Sequence, residues 1–279
     1  MRIVPEGTSF GRQGKPRVNK VERLAHGKGA GYMNTMLSDD EIDRYARHLV
    51  LKEIGGQGQM KLKAAKVALI GMGGIGSPAA LYLAAAGVGT LGLIDDDTIS
   101  LSNLQRQILY GTGEIGASKA QTAKSRLNDI NPHCDCQVHG LRLNDDNVAE
   151  VLSGYDIVLD GCDNFPTRLL INRVCHALGK PLVSAAIGRW SGQLAVFKGR
   201  PCYQCLVPDV PPDAETCERV GVVGALAGVL GTLAALETVK LITGAGENLA
   251  GRLMIFDGLT LQSRIVGLAA DPDCPICRA

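Results

Sequence analysis

The sequence predicts an α/β fold with a doubly wound, Rossmann-like, mainly parallel sheet. Three observations predict it. Short apolar runs alternate with helix-patterned segments between residues 66 and 187. A glycine-rich turn, GMGGIG (71–76), stands between the first run and the first helix of that series. Three further strand-like runs, 192–199, 252–258 and 261–268, come in hairpin-like order, which adds antiparallel strands to the sheet.

Each element has a local reason. Residues 1–36 are Gly-rich and basic with no hydrophobic period, so a disordered extension is expected ahead of a folded domain at 37–279. Met33 and Met36 are alternative starts. Ser38 can cap a helix whose first turn holds Asp39, Asp40 and Glu41. The glycines of GGQGQ (55–59) read as a break. KVALIG (66–71) and TLGLID (90–95) are buried strands, with an Ala-rich helix at 74–87 between them. A helix is expected at 117–131, then strands at 134–142, 156–161 and 181–187, separated by helices at 145–153 and 166–179. From Val220 to Leu236 runs a stretch without a charge, VGVVGALAGVLGTLAAL. Its small residues recur three to four apart, which favours a buried helix, at a subunit interface, over a membrane span.

Composition narrows the function classes. Hydrophobic residues make up 46% and charged residues 20% of 279, as in an ordinary globular protein. Net charge is +1 and the basic residues are dispersed, which argues against a nucleic-acid surface. The first twenty residues hold no apolar core of a secretory signal. Nine cysteines, an odd number, then suit a reducing cytoplasm better than a disulfide scaffold.

Gly71, Gly73, Gly74 and Gly76 permit a tight turn in which phosphate oxygens approach backbone N–H groups at a helix N-terminus. Asp95 ends the next strand, where a carboxylate accepts bonds from ribose hydroxyls. These features alone suit any adenine nucleotide, a nicotinamide cofactor included. The following DDDTISLSNLQRQ brings Asn103, Gln105, Arg106 and Gln107 to the carboxyl ends of the strands, and Lys119 starts a helix. Fixed cations beside a phosphate loop suit triphosphate chemistry and serve no purpose in hydride transfer. Lys119 can also be read as a solvated helix residue. In DGCDN (160–164) Asp163 can hold Mg²⁺ through oxygen, or it and Asp160 can cap the next helix.

Together these segments resemble the ThiF/MoeB/HesA family, bacterial relatives of ubiquitin-activating enzymes. The matching residues are RYARH (44–48), GMGGIG (71–76), AAAGVGTLGLIDDD (84–97), SNLQRQ (102–107), DGCDN (160–164), CYQCL (202–206), a cysteine at 217 and CPIC (274–277). The resemblance implies an adenylyltransferase. It would use ATP and Mg²⁺ to adenylate the C-terminal glycine of a small ubiquitin-like sulfur-carrier protein, with release of pyrophosphate. It implies that Gly74, Asp95, Ser102, Asn103, Leu104, Gln105, Arg106, Lys119, Asp163 and Asn164 contact the nucleotide, with Asp163 on Mg²⁺. It also implies a homodimer in which Arg47 enters the partner's ATP site, although His48 stands where the family motif has Gln. Cys217 would bond covalently with the carrier in some members.

Cys202-x-x-Cys205 and Cys274-x-x-Cys277 can each present two thiolates on one turn, and two such knuckles make a closed Cys₄ zinc site. One pair alone would also suit a redox CxxC. Cys134, Cys136, Cys162 and Cys175 read as small core residues. The carrier is expected to be the small subunit of molybdopterin synthase, with the thiamine-pathway sulfur carrier as the alternative. The chain ends two residues after CPIC, so a separate sulfurtransferase or cysteine desulfurase is expected to supply sulfur. The competing classes are a nicotinamide-dependent oxidoreductase, a non-catalytic scaffold and a tRNA-modifying dehydratase.

Overall fold

The computed structural model describes residues 36–210 and 221–278. Of the expected extension only Met36 lies within these, and Cys217 lies outside them. The chain enters through helix α1 (Asp39–Arg44), whose Ser38 and Glu41 form a reciprocal capping box. The Ser38 hydroxyl accepts from the Glu41 N–H at 3.2 Å, and the Glu41 carboxylate accepts from the Ser38 N–H at 2.8 Å. Lys63 also bonds the Glu41 carboxylate, at 2.7 Å. Ser38→Ala is therefore expected to cost about 1 kcal/mol of unfolding free energy, measured by urea titration. A loss below about 0.3 kcal/mol would show that the Glu41–Lys63 pair holds this turn without the cap.

Short helix α2 (Ala46–Leu49) leads to α3 (Gly55–Ala64). The glycines at 55–58 thus begin a helix where the sequence suggested a break. Tertiary contacts override the poor propensity of glycine. Gln59 is fully buried and donates to the Ala86 carbonyl at 2.8 Å. A Cβ at Gly58 would lie 3.0 Å from the Ile54 side chain, a tight contact that Ile54 would have to shift to relieve.

The eight expected strands all form. They are β1 (Lys66–Ile70), β2 (Thr90–Ile94), β3 (Asp135–His139), β4 (Ile157–Asp160), β5 (Leu182–Gly188), β6 (Ser191–Phe197), β7 (Arg252–Asp257) and β8 (Gln262–Gly267). They make one sheet in the order β3-β2-β1-β4-β5-β6-β7-β8. The first five pair parallel and the last three add antiparallel. The parallel strands are apolar on both faces because helices cover both. Val67, Ala68, Leu69 and Ile70 of β1 are all buried.

The crossovers are α4 (Gly76–Ala86), α5 (Lys119–Ile130), α6 (Val148–Ser153) and α7 (Phe165–Ala177). A turn, α8 (Tyr203–Leu206), and a long helix, α9 (Gly224–Thr243), follow. Strand order reverses between β1 and β4, so the loops after β1, β2 and β4 meet above the carboxyl ends of the strands. That crevice is where such sheets take ligands.

Among the described residues α9 is the one helix long and apolar enough to cross a membrane. Its inner face instead packs on α4, β5 and β6. A Cβ at Gly231 would lie 2.5 Å from the Ile75 carbonyl oxygen, so the two helices approach to backbone distance. Its buried Glu237 accepts from the Leu249 N–H at 2.7 Å and pairs with Lys240. A carboxylate satisfied in this way belongs to a protein core. The outer face leaves Val229 and Leu236 exposed.

Candidate nucleotide site

A cavity of about 430 Å³ fills the crevice at the strand ends. Gly71 leaves β1 at φ +83°, a left-handed conformation that glycine adopts without a steric penalty. A Cβ at Gly76 would lie 1.9 Å from the Gly71 carbonyl oxygen, so glycine there closes the turn on itself. Gly71, Gly73 and Gly74 line the cavity, while Gly76 is buried behind them as the first residue of α4. The three glycines therefore present bare backbone at the positive end of a helix of eleven residues.

Asp95 follows β2 and lines the same cavity. Its two oxygens accept from the Met72 N–H at 2.7 Å and the Asp97 N–H at 2.8 Å. The carboxylate is thereby fixed against the phosphate loop. Burial raises its pKa, against the opposing pull of those two N–H groups and of Lys119. Lys119, at the start of α5, is itself buried and donates to Asp97 at 2.8 Å. The reading of Lys119 as a solvated helix residue is thus replaced by a buried ammonium facing the cavity and neutralised by one carboxylate. Arg106 lines the same wall, held by a 3.0 Å bond to the Ser102 carbonyl.

Asp163 and Asn164 complete the rim. Asn164 caps α7 by accepting from the Thr167 N–H at 3.0 Å, which leaves the exposed Asp163 uncommitted to the helix. Asp160 is not a cap. It is fully buried and accepts from Arg168 and Ser184, each at 2.9 Å. The other arm of Arg168 donates to the carbonyls of Cys162 and Ala185. One guanidinium thus ties β4, β5 and α7 to the loop that carries Asp163. The sequence reading assigned no role to Arg168 or Asp97. A charged residue on the inward face of α7 was the only available signal for the first. Burial and the Asp160 carboxylate raise the pKa of the Cys162 thiol, so it stays protonated beside the cavity.

Some expected residues stand apart. Ser102, Asn103, Leu104 and Gln105 are not among the residues lining the cavity. Asn103 caps its own turn by accepting from the Ser100 N–H at 3.3 Å, and the Gln105 carbonyl packs on Gly224. Arg47 is exposed on α2 and does not line the cavity of its own chain.

The four cysteines of the two CxxC pairs come together away from the phosphate loop. Their sulfurs all lie within 4.8 Å of one another. Cys202 and Cys274 are 3.6 Å apart, and Cys205 and Cys277 are 3.3 Å apart. These spacings are too long for disulfides and near the edge of about 3.8 Å that a tetrahedron of Zn–S bonds requires. Burial works against ionisation of Cys274, but the N–H groups of Cys277 and Ile276 and the neighbouring Cys202 and Cys277 thiols together outweigh it and bring the thiol down to about 7. The set can hold one four-coordinate metal ion.

The ThiF family model matches residues 45–276. The chain is 46% identical over 284 residues to the adenylyltransferase and sulfurtransferase MOCS3 of Drosophila sechellia, covering 100% of this chain and 62% of that protein. It is 46% identical over 246 residues to the protein of the same name from Mus musculus, covering 86% and 54%. The chain thus spans a little over half the length of these relatives. Among solved structures, E. coli MccB with MccA-N7isoASN superposes with a TM-score of 0.75 at 23% identity, over 85% of this chain and 75% of that one. PaaA superposes with a TM-score of 0.71 at 22% identity, over 86% and 77%. Those two likenesses establish the fold. With most of its length matched by the family model, the chain belongs to the ThiF family.

Proposed function

We propose that this protein is an adenylyltransferase that activates the C-terminal glycine of a ubiquitin-like sulfur carrier with ATP. The observation that carries the reading is the convergence of the phosphate loop, Asp95, Arg106, Lys119 and Asp163 on one cavity. The names of the 46%-identical relatives support the same reaction class.

The residues divide the work. Backbone N–H groups of the loop and the α4 dipole hold phosphate oxygens. Asp95, already fixed, takes the ribose hydroxyls. Arg106 and Lys119 offset the charge that builds on the α-phosphate and on departing pyrophosphate as the carrier carboxylate attacks. Lys119 is pre-positioned by Asp97, so little reorganisation accompanies the reaction. Asp163 has free carboxylate oxygens at the rim and fits a Mg²⁺ ligand, whose charge would neutralise the triphosphate. Cys202, Cys205, Cys274 and Cys277 fit a structural zinc with no open position.

The exposed Arg47 and the exposed apolar residues of α9 support a homodimer in which Arg47 serves the partner's cavity. The eight free cysteines of the described residues support a reducing cytoplasm. The favoured carrier is the small subunit of molybdopterin synthase. Sulfur delivery to the acyl adenylate is assigned to a sulfurtransferase or cysteine desulfurase.

ATP–pyrophosphate exchange tests the proposal, with each candidate carrier added in turn. Exchange is expected to require one carrier and to fall by at least about a hundredfold in Asp163→Ala. Carrier-independent exchange, or an unaffected variant, would overturn it.

A further inference from the structure

Helix α7 carries an asparagine on its buried face. Asn172 is 2% exposed, and Ile171 and Cys175 beside it on the helix are buried as well. An amide in such a place is unfavourable unless both its ends are bonded, and asparagine adds little to a helix interior. Both ends are bonded, and to one short segment. The Asn172 Oδ1 accepts from the Tyr203 N–H at 2.8 Å, and its Nδ2 donates to the Cys202 Sγ at 3.5 Å, a bonding distance for the larger sulfur atom. The Tyr203 bond settles which end of the amide is which. A backbone N–H can only donate, so the oxygen faces α8 and the NH₂ faces the sulfur.

Cys202 is one of the four cysteines whose sulfurs gather within 4.8 Å of one another. A metal ion takes cysteines as thiolates, which accept hydrogen bonds and donate none. The NH₂ of Asn172 is therefore aimed at the kind of partner that a metal-bound Cys202 presents. The two residues stand thirty apart in the chain, so the CxxC spacing carries no sign of the contact. The oxygen end of the same side chain serves the other side. Tyr203 and Leu206 of α8 line the nucleotide cavity, whereas Asn172 itself does not.

We infer that Asn172 is a positioning residue for the metal. Its carboxamide donates to the Cys202 thiolate, fixes the direction of that ligand and raises the zinc affinity of the four-cysteine set, while its oxygen ties the same knuckle to α8. The inference rests on the reading of the four cysteines as a zinc site. A hydrogen bond to a ligand sulfur draws off part of its negative charge, which suits a site that crowds four thiolates around one divalent ion.

Asn172→Asp in the full chain tests this, because aspartate keeps the oxygen that the Tyr203 N–H needs and removes only the donor. Zinc affinity is read by competition with a chromophoric chelator. The sulfur ligands are read by the charge-transfer absorption of protein loaded with Co²⁺. Zinc affinity is expected to fall by at least about tenfold. The sulfur-to-cobalt band is expected to move to longer wavelength, because a thiolate without its hydrogen bond gives up electron density more readily. Asn172→Leu, neutral and of similar volume, is expected to show both effects, which removes the charge of aspartate as their cause. It also carries the test if Asn172→Asp does not fold. Unchanged zinc affinity in a folded variant would overturn the inference and leave Asn172 as a holder of α8 alone. A loss of affinity with the cobalt band unmoved would place the effect in packing and overturn it as well. A wild-type chain that binds no zinc would overturn the Cys₄ reading itself, a result distinct from both.

Discussion

Replacing Cys274 with serine is expected to abolish metal binding, from about one zinc per chain to none, and to lower stability by about 3–5 kcal/mol. Cys274 is fully buried among Cys202, Cys205 and Cys277, and little else in that cluster is apolar. The segment after β8 has few other anchors, since the Cys274 and Arg278 N–H groups bond within the segment itself. A metal bound only by the folded state adds its binding free energy to folding. The domain has a separate large core, so the loss is far smaller than in a zinc finger, which unfolds without metal. Nucleotide affinity should fall by less than tenfold. The Tyr203 and Leu206 side chains of α8 line the cavity, but Asn172 of α7 holds α8 independently by accepting from the Tyr203 N–H at 2.8 Å. Elemental analysis, urea unfolding and calorimetric titration with ATP check the three parts. A variant that keeps its zinc would sink the Cys₄ assignment.

Parts of this architecture that depend on neighbouring residues were legible in the sequence. Continuous apolar runs such as Val67–Ile70 form strands wherever helices cover both faces, and the Ser38–Glu41 box is written within four residues. The phosphate loop was legible for the same reason, because Gly71 and Gly76 meet within one turn. What the residues alone did not show depended on distant partners. The helix at 55–64 exists because Gln59 finds the Ala86 carbonyl and Gly58 packs closely on Ile54, and no local propensity reports the first of these. Lys119 was assigned to phosphate from its place after the loop, but nothing local reports its burial or its pairing with Asp97. Ser102, Asn103, Leu104 and Gln105 were assigned to the nucleotide as one block. The structure sends only Arg106 and Gln107 from that stretch into the cavity wall.

Arg168→Ala is expected to cost about 3–5 kcal/mol and to lower exchange activity at temperatures where the variant remains folded. The argument starts from Asp160, which is 1% exposed at the end of β4. Arg168 neutralises that carboxylate at 2.9 Å, and Ser184 together with the N–H and thiol of Cys162 supplies its remaining donors. Removing the guanidinium leaves a buried negative charge with neutral partners only, which is far worse than never having had the pair. Two readouts separate this from simple loss of packing. Adding Asp160→Asn to Arg168→Ala should recover part of the loss, giving a coupling energy of at least about 1 kcal/mol in a double-mutant cycle. Arg168→Lys should rescue poorly, since one ammonium cannot reach Asp160, Ser184 and the Cys162 and Ala185 carbonyls together. The activity effect follows from the same fork. With the Cys162 carbonyl released, the loop bearing Asp163 loses its anchor, and even a small displacement of a phosphate-facing carboxylate slows reaction. If Arg168→Ala instead couples to nothing at Asp160 and Arg168→Lys restores full stability, the guanidinium serves as filler, and the fixed geometry of the Asp163 loop must come from the Asn164 cap alone.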